Sequence, residues 1–258
     1  DDMGASGVYA ATTSIANGAA TVNVRAKVTA DPAAGGDYTV RMALADAAGQ
    51  PAGTAEQPLS LAAGESAQAQ LDLYVSAPHL WHGVADPYLY ALSTELVRAD
   101  GAVIDRVVQP FGIREFRFDP EQGFYLNGEH IGRLNGVAMH QDFAGKGYAV
   151  SEADVEASLA LIMEIGANAV RLGHYPFSRY TLERVSELGL VAWAERPSGV
   201  RTTVDTCEAI DIPEASVANV RQQLVEMIRQ QYNHAAIAVW SVGNETSFGQ
   251  GGWDEPYE

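Results

Sequence analysis

Four short apolar runs in the second half of the chain, separated by helix-length segments and each followed within two residues by polar groups, restrict the fold more than any other feature. They are "RLNGVAM" ending at Met139, "NAVRL" ending at Leu172, "LVAWA" ending at Ala194 and "AIAVWSV" ending at Val242. The segments between them have helical spacing. Ser151 can cap the first with Asp154 three residues on, Val155, Leu159, Ile162 and Met163 share a face, and Gly166 ends it. A second helix is expected from Ser178 to Leu188, stopped by Gly189. A third runs from about Pro213 to Tyr232 with Val217, Val220, Leu224 and Ile228 at helical intervals. Apolar strands joined by helices require parallel order with both faces covered, as an open doubly wound sheet or as part of a (β/α)₈ barrel. No glycine-rich phosphate loop follows the first strand, which favours the barrel.

Residues 1 to 117 have a different rhythm. "TVNVRAKVTA", "YTVRMALADA", "AQAQLDLYVS", "YLYALSTELV" and "VIDRVVQPFG" are strand-like and lie between turn-rich pieces such as "DPAAGGD" and "RADGAV". With no helix between them they predict an antiparallel sandwich of about 100 residues. Trp81, Tyr88 and Tyr90 are expected to be packing residues, with a sugar platform as the alternative. After Phe118, "GFYLNGEHI" predicts a hairpin turning at Asn127-Gly128.

Composition removes several classes of partner. Sixteen basic against 33 acidic residues give a net charge of -17, which repels nucleic acid and anionic membranes. No apolar run reaches the roughly 20 residues of a membrane span, and "DDMGASGVYA" has neither the basic nor the apolar region of a signal peptide. Cys207, the single cysteine, excludes an internal disulfide. Met3 is not first, so the chain is expected to be a piece of a longer one.

The chemistry sits at the strand tips. "GVAMHQD" supplies His140 and Asp142, "NAVRLGHYP" supplies Arg171 and His174, "VAWAERP" supplies Glu195, and "WSVGNE" supplies Asn244 and Glu245. In a barrel such tips converge on one face, where barrel enzymes hold their active sites. Arg171 lies inside an apolar strand and needs an acidic partner. Glu195 reads equally as a site residue or as a member of a structural ion pair, whereas His234, ahead of its strand, reads as structural. No HxxxH, CxxC or GxSxG occurs, so no catalytic metal, no other cofactor and no serine nucleophile is expected.

These stretches resemble glycoside hydrolase family 2, the β-galactosidase and β-glucuronidase family. "NAVRLGHYPFSRYTLERVSELGLVAWAERP" and "YNHAAIAVWSVGNE" are similar to its two signatures, "FGIREFRFDPEQGFYLNGEHIGRLNGVAMHQD" to its junction into the barrel, and "LWHGVADPYLYAL" to the last strands of its immunoglobulin-like domain. The resemblance implies a multidomain β plus α/β fold: an immunoglobulin-like β-sandwich over residues 1 to 117, then the first half of a (β/α)₈ TIM barrel, strands one to four, over 118 to 258. It also implies a retaining exo-β-glycosidase acting on a carbohydrate substrate, foremost a β-galactosidase, with β-glucuronidase, β-mannosidase or a non-catalytic sugar-binding module as alternatives.

In that family Glu245 corresponds to the acid/base and Asn244 to the contact with the sugar 2-hydroxyl, while His140, Arg171 and His174 line the sugar site. Asp142 and Glu195 are assigned to the same substrate-binding set. The metal-dependent galactosidases carry a further Glu and His where Gly199 and Arg201 stand here, which puts that subtype in doubt. The family nucleophile belongs to the seventh strand, beyond these residues. A half-barrel leaves strand edges and an apolar interior unsealed, so self-association as a homo-oligomer or poor solubility is expected. The isolated chain should show no turnover of nitrophenyl β-galactoside or β-glucuronide; enzyme-like rates abolished by Glu245→Gln would contradict this.

Overall fold

The computed structural model describes residues 2–197 and 214–244. The predicted acid/base Glu245, and Pro213, Gly199, Arg201 and Cys207, lie outside them. Seven strands form the N-terminal part: β1 Val8–Ala16, β2 Ala19–Thr29, β3 Gly36–Ala45, β4 Pro51–Leu61, β5 Ser66–Ser76, β6 Tyr90–Arg98 and β7 Val103–Phe111. They make two antiparallel sheets, β1-β2-β5 and β4-β3-β6-β7. Alternation builds the core between them: in β2, Ala20, Val22, Val24 and Ala26 are buried and meet Met42, Leu44, Leu73 and Leu92 from the other strands.

Two of these strands, β1 and β4, were not expected from the sequence. β4 buries only its last residue, Leu61, and carries Pro51, Gly53 and Pro58, the composition of an edge strand. β1 consists mainly of Ala, Thr and Ser, yet the two residues joining it to β2, Asn17 and Gly18, both have positive φ (53° and 75°), the two-residue hairpin geometry.

Residues 116 to 132 fold as a three-stranded antiparallel sheet, β8 Phe116–Asp119, β9 Gly123–Leu126 and β10 Glu129–Gly132. Its last hairpin turns at Asn127-Gly128, again with both φ angles positive. Beyond it come β11 Gly136–Met139, α1 Glu152–Glu164, β12 Ala169–Leu172, α2 Arg179–Glu187, β13 Val191–Glu195, α3 Glu214–Gln231 and β14 Ile237–Ser241. The four strands are parallel, in the order β11-β12-β13-β14. The first begins at Gly136 rather than Arg133, where a Cβ would press on the Ala169 carbonyl oxygen of β12 at 3.0 Å.

The expectation that both sheet faces are covered needs correction for the described residues. Val170, Leu172, Ala192 and Ala194 are buried with Val155, Leu159 and Ile162 of α1 and Leu182 and Val185 of α2. Trp193, between the two buried alanines and so on the other face, is 45% exposed. No described helix is long and apolar enough to cross a membrane.

The sandwich and the parallel sheet are bolted together. Trp81 has no exposed surface, packs in the cluster under the parallel sheet and donates Nε1–H to the Ser186 carbonyl of α2 at 2.8 Å. Beside it the backbones of Gly83 and Gly189 touch: a Cβ on Gly189, whose φ is 78°, would stand 2.2 Å from the Gly83 oxygen, so no other residue fits. Trp81→Ala should therefore destabilise the protein by about 3–5 kcal/mol. Trp81→Phe, which loses chiefly the hydrogen bond, should cost about 1 kcal/mol. Urea unfolding of both variants measures the difference.

The loop after β11 is tied to α1 by Asp154. Its carboxylate accepts the Ser151 backbone N–H (2.9 Å) and hydroxyl (2.7 Å) in a capping box, and Lys146 Nζ at 2.7 and 2.9 Å. The Lys146 hydrogen bond first, then those from Ser151, lower its pKa to about 2. A carboxyl held below its unfolded value stabilises the fold fully above that unfolded value, near 3.8, and less as pH falls toward 2. Asp154→Asn should flatten the stability-versus-pH curve over that window, read by thermal melting at stepped pH.

Candidate active site

The parallel sheet aims its inner-face side chains at one spot above its C-terminal end. Arg171, third residue of β12, Glu195, last of β13, and Ser241, last of β14, all point to that side, and Glu195 and Ser241 are register partners. The Glu195 side chain has no exposed surface, and donors take up both of its oxygens. His174 Nδ1 lies 2.5 Å from Oε1, while the Arg171 Nη2 (2.9 Å) and the Ser241 hydroxyl (3.0 Å) donate to Oε2. The acidic partner required by Arg171 is therefore Glu195. Burial pushes the Glu195 carboxyl up, but hydrogen bonds from Arg171, His174 and Ser241 together with the Arg171 charge outweigh it and hold the pKa below the ordinary carboxylate value. Facing an ionised carboxylate, His174 Nδ1 must carry the proton.

The same Arg171 nitrogen also donates to Asn244 Oδ1 at 2.7 Å. Guanidinium groups only donate, so the amide oxygen must face Arg171 and the Asn244 NH₂ must face elsewhere. Arg171 Nε is buried without a partner among the described residues. His140 is exposed, its ring edge-on to His174 with centroids 5.2 Å apart and 6.3 Å from Tyr175. Asp142 is exposed on the same loop, near enough for its charge to act on the Tyr175 phenol. Of the residues expected at the site, Arg171, His174, Glu195 and Asn244 are joined by direct hydrogen bonds. His140 borders them through ring contact, and Asp142 makes no bond to them. His234 lies at the other end of β14, where burial lowers its pKa to about 4 and its backbone closes the turn into the strand.

Sequence reasoning passed over two residues. Ser241 lies inside the apolar run "AIAVWSV", where a serine carries no signal until its register partner, Glu195, is known. Tyr175 accepts the Gln141 backbone N–H at 2.9 Å, and the Gln141 amide oxygen in turn accepts the Ser178 N–H at 2.7 Å. That lacing fixes the loop carrying His140 against the one carrying His174.

The chain is similar to known proteins over both parts. The family model described as glycosyl hydrolases family 2, TIM barrel domain, matches residues 120–252. A second model, glycosyl hydrolases family 2, matches residues 7–114. A β-glucuronidase of Bacteroides fragilis is 40% identical over 190 residues, covering 72% of this chain and 26% of that protein. A β-galactosidase of Bacteroides ovatus is 30% identical over 243 residues, covering 94% of this chain and 28% of its own length. The solved structure of a Bacteroides uniformis β-glucuronidase superposes with a TM-score of 0.82 at 29% identity, covering 93% of this chain and 28% of that one. The chain thus spans about a quarter of the length of the curated relatives it matches. With its sandwich, its parallel barrel strands and its polar strand tips each matched in this way, the chain belongs to glycosyl hydrolase family 2.

Proposed function

We propose that this chain supplies the acid/base half of a retaining exo-β-glycosidase that removes terminal β-linked sugars. The observation that carries the reading is the convergence of Arg171 and His174 on the buried Glu195 carboxylate at the strand tips, with Arg171 also donating to Asn244, directly before Glu245. Retention requires two carboxyl groups about 5 Å apart, one to protonate the leaving oxygen and one to attack the anomeric carbon. Glu245 is assigned the first task. Family resemblance assigns the second to the barrel's seventh strand, beyond the strands described here. Asn244 presents its amide N–H to the 2-hydroxyl, and His140, Arg171 and His174 line the sugar, with Asp142 at the rim.

A β-galactoside is the substrate first suggested by the sequence. A β-glucuronide is the second reading, favoured by the 40% identity to the Bacteroides fragilis β-glucuronidase. The strand order β1-β2-β5 against β4-β3-β6-β7 supports an immunoglobulin-like reading of the sandwich. The gap between the two matched regions, 114 to 120, supports a domain boundary after residue 117.

The test is kinetic, on the full-length protein carrying this chain, with paired alkyl and nitrophenyl β-galactosides and β-glucuronides. Glu245→Gln should slow hydrolysis of the alkyl glycosides, whose leaving groups need a proton, by about 10²–10⁴-fold. The nitrophenyl glycosides should lose far less in the glycosylation step. Equal rates for variant and wild type on the alkyl glycosides would overturn the assignment.

A further inference from the structure

The assignment of Glu195 to the sugar-binding set conflicts with its surroundings. Its side chain has no exposed surface, and His174, Arg171 and Ser241 already occupy both oxygens. A sugar hydroxyl reaching it would have to displace one of them. We infer that Glu195 is a positioning residue: it never meets the substrate, but it fixes which atoms of Asn244 and His174 do. This rests on the proposed role of Asn244 at the 2-hydroxyl.

The hydrogen-bond inventory is specific. One Arg171 Nη2 carries two hydrogens, and the two acceptors recorded for it are Glu195 Oε2 at 2.9 Å and Asn244 Oδ1 at 2.7 Å. The Glu195 carboxylate holds the guanidinium in the orientation that presents the second hydrogen to Asn244. With its oxygen so committed, Asn244 offers a ligand only its NH₂ donors. His174, with Nδ1–H given to Glu195 Oε1, has only Nε2 left for a ligand. A single buried anion thereby sets the hydrogen-bonding sense of two groups that can face the sugar. The arrangement spans β12, β13 and β14, so it is built into the sheet rather than into one loop.

Glu195→Gln in the full-length protein tests this. The amide keeps the shape but replaces one acceptor oxygen by a donor NH₂, which must then face His174 N–H or the Arg171 and Ser241 donors. Kinetics are measured on a 2-hydroxy glycoside and its 2-deoxy counterpart with the same leaving group. The wild type should prefer the 2-hydroxy substrate in kcat/KM, and Glu195→Gln should shrink that preference by about tenfold or more. Asn244→Ala should shrink it similarly, and the double variant should shrink it no further.

Equal loss on both substrates, with the preference intact, would mean a merely structural role and would overturn the inference. A wild type indifferent to the 2-hydroxyl would instead overturn the reading of Asn244, and this inference with it. Should Glu195→Gln fail to fold, Arg171→Lys decides: it keeps the positive charge opposite Glu195 but loses the planar fork that hands a hydrogen to Asn244, and should narrow the preference in the same direction. An unchanged preference in that variant would count as refutation.

Discussion

A carboxylate without exposed surface is held in place only where donors surround it, because leaving such a charge unpaired costs several kcal/mol. Glu195 draws its donors from both neighbouring strands of the sheet, and this ties register to chemistry. Side chains alternate along a strand, so a slip of one residue in β13 would turn Glu195 toward the helices, among Val170 and Leu172. The pairing of β13 with β14 shows a local adjustment that serves this contact. Ala192 pairs with Ile237, and unbroken register would bring Trp240 opposite Glu195. A shift between Ala192 and Trp193 adds one residue to β14 and brings Ser241 there instead. A bulge next to a polar cluster is a common way of re-aiming one side chain; here it exchanges an indole for a hydroxyl that reaches Glu195 Oε2.

The sandwich contributes rigidity from the opposite side. Asn233, in the turn between α3 and β14, accepts the Ala10 N–H at 2.9 Å and donates to the Val8 carbonyl at 2.7 Å. It thereby pairs with β1 as a further strand would. Trp81 anchors the end of α2, and the Asn127 amide holds the Trp81 carbonyl at 3.1 Å. The residues at the base of β13 and β14 are therefore fixed by contacts remote from the strand tips, and the tips inherit that fixity along strands of five residues each.

The elements that could be read from the sequence are those whose physics is local. The cap at Ser151, the start of the second helix at Ser178, the stops at Gly166 and Gly189 and the parallel strands all follow from spacing within one segment. β4 did not, because an edge strand with one buried residue leaves little alternation to read. At the site, residue type and position identified Arg171, His174, Glu195 and Asn244 as a group. Whether a glutamate at a strand tip faces solvent or lies sealed beneath an arginine is decided by donors from other strands, and no local pattern records them. Ser241 was hidden for the same reason, since a serine in an apolar run becomes informative only once its register partner is known.

Arg114 extends this reasoning to the outer edge of the sheet. It stacks on Phe116 with its guanidinium 4.3 Å from the ring centroid, and it donates to the carbonyls of Ala235 at 3.0 Å and Ile237 at 3.2 Å. The carbonyl between those two, Ala236, accepts Ala192 N–H from β13. Carbonyls alternate in direction along a strand, so Arg114 occupies acceptors on the side of β14 that faces away from β13. Burial pushes its pKa down to about 10, which leaves it charged at neutral pH, and among the described residues it forms no ion pair. The charge is met instead by carbonyl dipoles and an aromatic face. Because the guanidinium fills these two acceptors, any further strand pairing along β14 has to begin beyond Ile237, nearer the tip where Asn244 and the ion cluster lie. A residue in the link between sandwich and barrel thus limits where the sheet can continue, and so helps to set the height at which the next strand would deliver its own side chains to the site.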